Sequence, residues 1–314
     1  MANASKILVT CPPMLGMIEN FRSDFAKSNL EATAAQVTQV MSEDELIELL
    51  PEFDGWIIGD DPATSQVLEA GVNGKLKAIV KWGVGVDNVD FDAANRLNLK
   101  SANTPGVFGK EVADLAMNYV SGLARQSFRI DREIRLNATW PKPAGVSLSG
   151  KNVGLVGFGD IGRNTAKRLA AAELNLFVYD PYYKAQDGIE AQQRQWPDGL
   201  SEMDFLVFTA PLTPNTHHML NKENVTRLKP GVRIVNVGRG PIIQEEALIE
   251  GLENKRIHSV ALDVFEQEPL SPDSPLRDYP DNIFGSHNGS NTVDAVERVS
   301  RQTIVMIAEM LASG

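Results

Sequence analysis

Short apolar, β-branched runs alternate with stretches of helical periodicity along most of the 314 residues. Residues 6–10, 56–58 and 76–81 read as strands, because brief continuous apolar runs suit strands covered on both faces. Between them the pattern predicts helices over 14–27 and near 91–97, and Ser42 with Glu45 forms a capping box for a helix over 44–50. The second half repeats the theme, with strands near 152–157, 174–179, 204–208, 232–236, 258–262 and 282–285 separated by helices or loops. Residues 111–125 predict a helix that crosses from one set to the other. A last helix over 293–311, apolar at Val296, Val299, Ile304, Ile307 and Met310, is expected to pack back on the first set. Such βα alternation belongs to the α/β class, parallel sheets with helices on both faces. The length exceeds what one core usually serves, so two domains are expected.

Composition narrows the partners. Hydrophobic content of 43% suffices for two cores, while a net charge of −11 and a pI near 4.9 offer no basic footprint for nucleic acid or anionic membrane. The single cysteine, Cys11, cannot form an internal disulfide, no spacing suggests a metal site, and an inert core residue is its simplest reading. Neither a signal-peptide apolar region nor an apolar run near 18 residues is present, so a cytoplasmic protein is expected.

Gly157-Phe158-Gly159-Asp160-Ile161-Gly162 directly follows the apolar residues 153–156, and Asp180 closes the next apolar run 18 positions later. In a strand–turn–helix unit the first glycine permits the tight turn, the second admits a pyrophosphate to the backbone and the third lets helix and strand pack closely. The helix start at Asp160 and Ile161 brings N–H groups and a positive dipole end to the phosphates. A carboxylate at 180 accepts from the ribose hydroxyls of NAD and repels the 2′-phosphate of NADP, so NAD is the expected cofactor.

Three later segments carry more. They are Asn236-Val237-Gly238-Arg239-Gly240, the run Ala-Leu-Asp-Val-Phe-Glu-Gln-Glu-Pro from Ala261 to Pro269, and His287-Asn288-Gly289-Ser290-Asn291-Thr292. Together with Lys81-Trp82-Gly83-Val84-Gly85-Val86-Asp87-Asn88-Val89-Asp90 and Asn103-Thr104-Pro105, they resemble the D-isomer-specific 2-hydroxyacid dehydrogenases, in the manner of the phosphoglycerate-dehydrogenase-like branch. The resemblance implies two doubly wound domains: a Rossmann NAD-binding domain over 103–292, inserted into a flavodoxin-like substrate-binding domain over 1–102 and 293–314, with the active site in the cleft. It implies a homodimer, although with nothing after Gly314 no added regulatory domain is expected. Interconversion of a small D-2-hydroxy acid and its 2-keto acid is the implied reaction.

That reaction moves a hydride between C2 and a nicotinamide and a proton at the C2 oxygen. Arg239 can grip the carboxylate and keto oxygen while charged at any working pH. His287 can exchange the hydroxyl proton near neutrality, and Glu268 would orient its ring and favour its charged form. By resemblance, backbone N–H groups of Val84 and Gly85 hold the substrate carboxylate, and Pro211, Thr216, Val237, Gly238, Asp263 and Gly289 complete the cofactor contacts. Of the other histidines, His217 and His218 belong on a loop near the cofactor edge and His258 on a strand start. In phosphoglycerate dehydrogenases the segment matching 58–64 carries an arginine and a serine that help bind the substrate phosphate. Asp60 and Asp61 stand there instead, so two carboxylates would oppose a dianionic phosphate and 3-phosphoglycerate is disfavoured; Trp82, Phe108 and Lys110 would shape the pocket. A same-fold phosphite-type dehydrogenase and an NAD-sensing, corepressor-like binding protein are the alternatives.

Overall fold

The computed structural model describes residues 4–313. Contacts divide the chain into two units: one runs up to Phe108 and resumes at Asn291, the other is Gly109–Ser290. The sequence reading put these joints at 102/103 and 292/293.

The first unit holds β1 (Ser5–Val9), β2 (Leu30–Ala34), β3 (Gly55–Ile58), β4 (Ala78–Lys81) and β5 (Lys100–Asn103). They form one parallel sheet in the order β2-β1-β3-β4-β5, the flavodoxin-like order. Around it lie α1 (Pro12–Leu15), α2 (Arg22–Lys27), α3 (Glu43–Leu49), α4 (Ser65–Asn73) and α5 (Phe91–Arg96). Where one helix was expected over 14–27, α1 stops at Gly16 and a 3-10 turn, Ile18–Phe21, intervenes before α2. A glycine inside a short helix removes much of its margin, and Met17 has already left the helical region at φ −126°. The capping box of α3 is present in both directions, Glu45 N–H to Ser42 Oγ and Ser42 N–H to Glu45 Oε2. Leu8, Trp56, Ile58, Val67, Leu68 and Ile79 fill one face of this sheet.

In the second unit β6 (Asn152–Val156), β7 (Asn175–Tyr179), β8 (Ala191–Gln193), β9 (Phe205–Phe208), β10 (Val232–Asn236), β11 (Ile257–Leu262) and β12 (Ile283–Phe284) form a parallel sheet in the order β12-β11-β10-β9-β6-β7-β8. This is the Rossmann order, with its reversal between β6 and β9. Its helices are α6 (Gly109–Arg125), α7 (Ser127–Asn137), α8 (Asp160–Ala171), α9 (Lys222–Thr226) and α10 (Glu245–Glu253). Rather than crossing between units, α6 lies wholly in the second, packed on α8, β10 and β11. The last helix, α11 (Val293–Ala312), returns to the first unit as expected, against β3 and β4, and Trp82 Nε1 donates to Ser300 Oγ on it at 3.1 Å. Among the described residues no helix is long and apolar enough to cross a membrane.

Candidate active site

The turn after β6 has the shape a dinucleotide requires. Gly157 sits at φ +91°, and a Cβ there would come within 2.7 Å of the Ala210 backbone. A Cβ on Gly162 would strike the Gly157 carbonyl, so this third glycine lets α8 start against the strand. At Gly159, by contrast, the space a Cβ would occupy is open and the residue is exposed. Gly159 is also the N-cap of α8 and, being glycine, brings no side chain of its own to that end. An exposed glycine N-cap at the positive end of the helix dipole fits a pyrophosphate.

Asp180, at the end of β7, faces this turn. Its Oδ2 accepts from Phe158 N at 2.6 Å and its Oδ1 from Tyr182 N at 2.7 Å. Each carboxylate oxygen retains acceptor capacity for a ribose hydroxyl, so the residues present fit NAD. After β9, Thr216 Oγ1 donates to the Pro211 carbonyl at 2.7 Å and accepts from Thr213 N, which closes the 211–216 turn on itself. His217 and His218 lie on the same loop with rings stacked 4.0 Å apart.

Arg239 follows β10 on a turn held by the fully buried Asn236, whose Oδ1 accepts from Gly238 N and whose Nδ2 donates to the Arg239 carbonyl. Val237 is buried beside it, its N–H donating to the Phe208 carbonyl. A Cβ on Gly240 would land on the Phe265 carbonyl, so glycine lets the Arg239 turn lie directly against the segment that carries Glu268. Glu268 uses both oxygens: Oε1 accepts from Phe265 N at 3.0 Å, and Oε2 lies 2.8 Å from His287 Nδ1. His287 and Glu268 side chains are 22% and 24% exposed, open enough for a small molecule to reach the ring.

Asp263, read from sequence as a cofactor residue, holds the histidine's backbone. Its carbonyl accepts from His287 N at 2.7 Å, its Oδ1 from Asn288 N at 3.2 Å and its Oδ2 from Gly289 N at 2.8 Å. His287 has φ +55°, a left-handed conformation that a non-glycine residue keeps only where its surroundings fix it. Burial pushes the Asp263 carboxyl above its ordinary range, against the downward pull of the two amides. The Tyr119 hydroxyl on α6 stands 3.5 Å from Oδ1, its own ionisation pushed up by burial and by the Asp263 charge. The sequence gives Tyr119 no role, and Asn236 only a place in the segment that carries Arg239; its part in holding that turn is visible only in the fold.

Within the first unit, the Gly83–Val86 turn after β4 is pinned by Gly83 N to Thr104 Oγ1 at 2.9 Å and by Asn103 Nδ2 to the Val84 carbonyl at 3.2 Å. The acids here differ from their sequence reading. Asp61 is fully buried and turned into the fold, where Oδ2 accepts from Thr10 Oγ1 and Gly59 N and Oδ1 from Met41 N. Asp60 meets the buried Lys81 ammonium at 2.9 Å. The premise that both carboxylates confront a substrate phosphate is therefore corrected: one serves the core and the other is ion-paired. Trp82 and Phe108 are buried against each other, centroids 4.9 Å apart, whereas Lys110 is exposed.

A family model described as "D-isomer specific 2-hydroxyacid dehydrogenase, NAD binding domain" matches residues 117–289, more than half of the chain. The chain is similar to the hydroxypyruvate reductase of Thermotoga maritima, 35% identical over 290 residues that cover 91% of this chain and 92% of that one. It is 33% identical to the D-3-phosphoglycerate dehydrogenase of Methanocaldococcus jannaschii, over 92% of this chain and only 54% of that longer protein. Among solved structures it resembles the apo form of D-lactate dehydrogenase from Escherichia coli, with a TM-score of 0.84 at 27% identity over 98% of this chain and 97% of the other.

Proposed function

The chain belongs to the D-isomer-specific 2-hydroxyacid dehydrogenase family, and from that premise we propose that Arg239, Glu268 and His287 are its catalytic residues and hydroxypyruvate its substrate. It is an NAD-dependent oxidoreductase that interconverts a 2-hydroxy acid and a 2-keto acid. The observation that carries the catalytic reading is the His287–Glu268 pair at 2.8 Å. When bound, NADH supplies the hydride for C2. As negative charge develops on the C2 oxygen, the His287 ring gives up a proton there. Glu268, bonded at Nδ1, fixes the ring so that Nε2 is the nitrogen presented for that transfer. Arg239 grips the carboxylate and keto oxygen through its planar fork, and the amides of Val84 and Gly85 are assigned to the same carboxylate.

Asp160, Ile161, Pro211, Thr216, Val237, Gly238, Asp263 and Gly289 are assigned to the cofactor side with Gly157, Gly159, Gly162 and Asp180. The first unit is read as the substrate-binding domain. Hydroxypyruvate is favoured because the Thermotoga maritima reductase matches this chain over nearly the full length of both. A homodimer is part of the reading: on and after α7, Leu136 and Trp140 are 78% and 77% exposed, an apolar pair suited to a second copy. A cytoplasmic setting suits the lone buried thiol, whose ionisation burial pushes far up.

The test is NADH oxidation over a panel of hydroxypyruvate, glyoxylate, pyruvate and 3-phosphohydroxypyruvate, with wild type and His287→Ala. The proposal expects the highest kcat/KM for hydroxypyruvate and a kcat loss of roughly 10²–10⁴-fold in the variant, the usual worth of a positioned acid. Near-wild-type turnover by His287→Ala would remove the histidine from the mechanism, and a higher kcat/KM for another acid would remove hydroxypyruvate.

A further inference from the structure

A second histidine–carboxylate pair lies in the same unit and takes no part in the mechanism above. His218 Nε2 lies 2.5 Å from Glu266 Oε1, with the side chains 35% and 29% exposed. The His218 amide donates to the Pro241 carbonyl at 2.8 Å, two residues beyond Arg239. Glu266 stands two residues before Glu268, and its Oε2 accepts from Glu245 N at 3.1 Å in the first turn of α10. That helix starts at Gln244 without a cap from its own side chain, so Glu266 supplies an acceptor from a distant strand end. His218 holds φ +48°, a left-handed position for a residue with a Cβ.

These contacts converge on one junction. The backbone of Gly240 already touches the Phe265 carbonyl. His218 binds the chain on the Arg239 side through its amide and the chain on the Glu268 side through its ring, and its own loop is the one assigned to the cofactor. We propose that His218 and Glu266 are a positioning pair for the reaction: they hold the Arg239 turn and the Glu268 segment in one register, so that guanidinium and imidazole address the same keto acid. This rests on the catalytic roles proposed for Arg239, Glu268 and His287. A partly exposed histidine–carboxylate contact adds little to global stability, whereas a shift of about 1 Å in a catalytic group costs up to roughly a hundredfold in rate. The pair's signature is therefore kinetic.

The experiment is a double-mutant cycle, His218→Ala, Glu266→Ala and the double variant, together with Glu266→Gln. The readouts are kcat and KM for the keto acid, NADH affinity by fluorescence titration, and the thermal midpoint. Each alanine variant is expected to lose about 10- to 100-fold in kcat/KM, mostly in kcat, with its midpoint within a few degrees of wild type. The double variant should fall no further than the worse single one, because the two side chains act as a unit. Glu266→Gln keeps an oxygen for the Glu245 amide and an NH₂ for a neutral imidazole, so it should recover most of the rate. Fully additive losses, wild-type kinetics in either folded alanine variant, or a Glu266→Gln as slow as Glu266→Ala would overturn the pairing. His287→Ala is assayed in parallel: if it retains turnover the catalytic reading fails, and if it is dead while the cycle shows no coupling, only the positioning role fails.

Discussion

Asp263→Asn tests how the proposed acid is held. The wild-type carboxylate accepts from two adjacent amides, Asn288 N and Gly289 N, and is 2% exposed. An asparagine has one acceptor oxygen; if it serves Gly289, its NH₂ faces the Asn288 N–H, donor against donor. One amide left without a partner costs about 1–3 kcal/mol, partly offset because the neutral amide escapes the desolvation that the buried carboxylate suffers. The net expectation is a destabilisation of about 1–2 kcal/mol. Catalysis should suffer more, because the lost bond sits beside the left-handed His287, and a displaced ring costs about tenfold or more in kcat. The pH dependence has a definite sign. Burial raises the Asp263 pKa in the folded state above its ordinary 3.8, so its contribution to stability is fully present below the unfolded pKa and is lost as pH rises through the folded one. The wild type should lose this component on going from about pH 4 upward, and the asparagine variant should lack it. Thermal unfolding across that range, with steady-state NADH oxidation by the folded variant, reads both effects. Wild-type kcat in folded Asp263→Asn would refute the claim that this carboxylate positions His287.

Three further outcomes follow from single contacts. Wild type should bind NADH at least about tenfold more tightly than NADPH, and Asp180→Ala should narrow that ratio; equal affinities in wild type by fluorescence titration would remove Asp180 from cofactor choice. Glu268→Gln offers one oxygen to two donors, Phe265 N and His287 Nδ1, so kcat should fall by about tenfold or more with KM for NADH little changed, and unaltered kcat would argue against ring orientation by this carboxylate. Asp61→Ala strands the Gly59 and Met41 amides and should cost roughly 2–5 kcal/mol in denaturant unfolding, whereas a stable variant with altered substrate preference would return Asp61 to the pocket.

What sequence could reveal followed where the physics is local. Strand 232–236 was legible to the residue because Val232, Ile234 and Val235 carry a β-branched apolar signal along a fully buried segment, even with Arg233 between them. The strands that escaped notice, Leu30–Ala34, Lys100–Asn103 and Ala191–Gln193, all sit at or form sheet edges. There one side meets solvent and Glu, Lys, Thr or Gln replaces the apolar signal. The glycines at 157, 159 and 162 were readable because a backbone turn dictates them one at a time. The direction of Asp61 was not, since it is decided by Thr10 and Met41, far away in sequence but adjacent in the fold. Asp263 was recognised as an acid at a strand end, but the loop it grips begins 24 residues later, and no spacing rule announces that contact.

The return of α11 to the first unit has a consequence for how the polypeptide matures. Residues 109–290 are contiguous and contain every strand of their own sheet, so they can close as soon as they leave the ribosome. The unit begun earlier has to wait. A Cβ on Gly55 would sit 2.8 Å from Ile307, so the middle of its sheet is shaped to a helix not yet synthesised, and the indole of Trp82 waits for Ser300. During translation the part made first is thus completed last, with apolar β3 and β4 lacking their cover in the interval. That interval is when the nascent chain is most open to aggregation or chaperone capture.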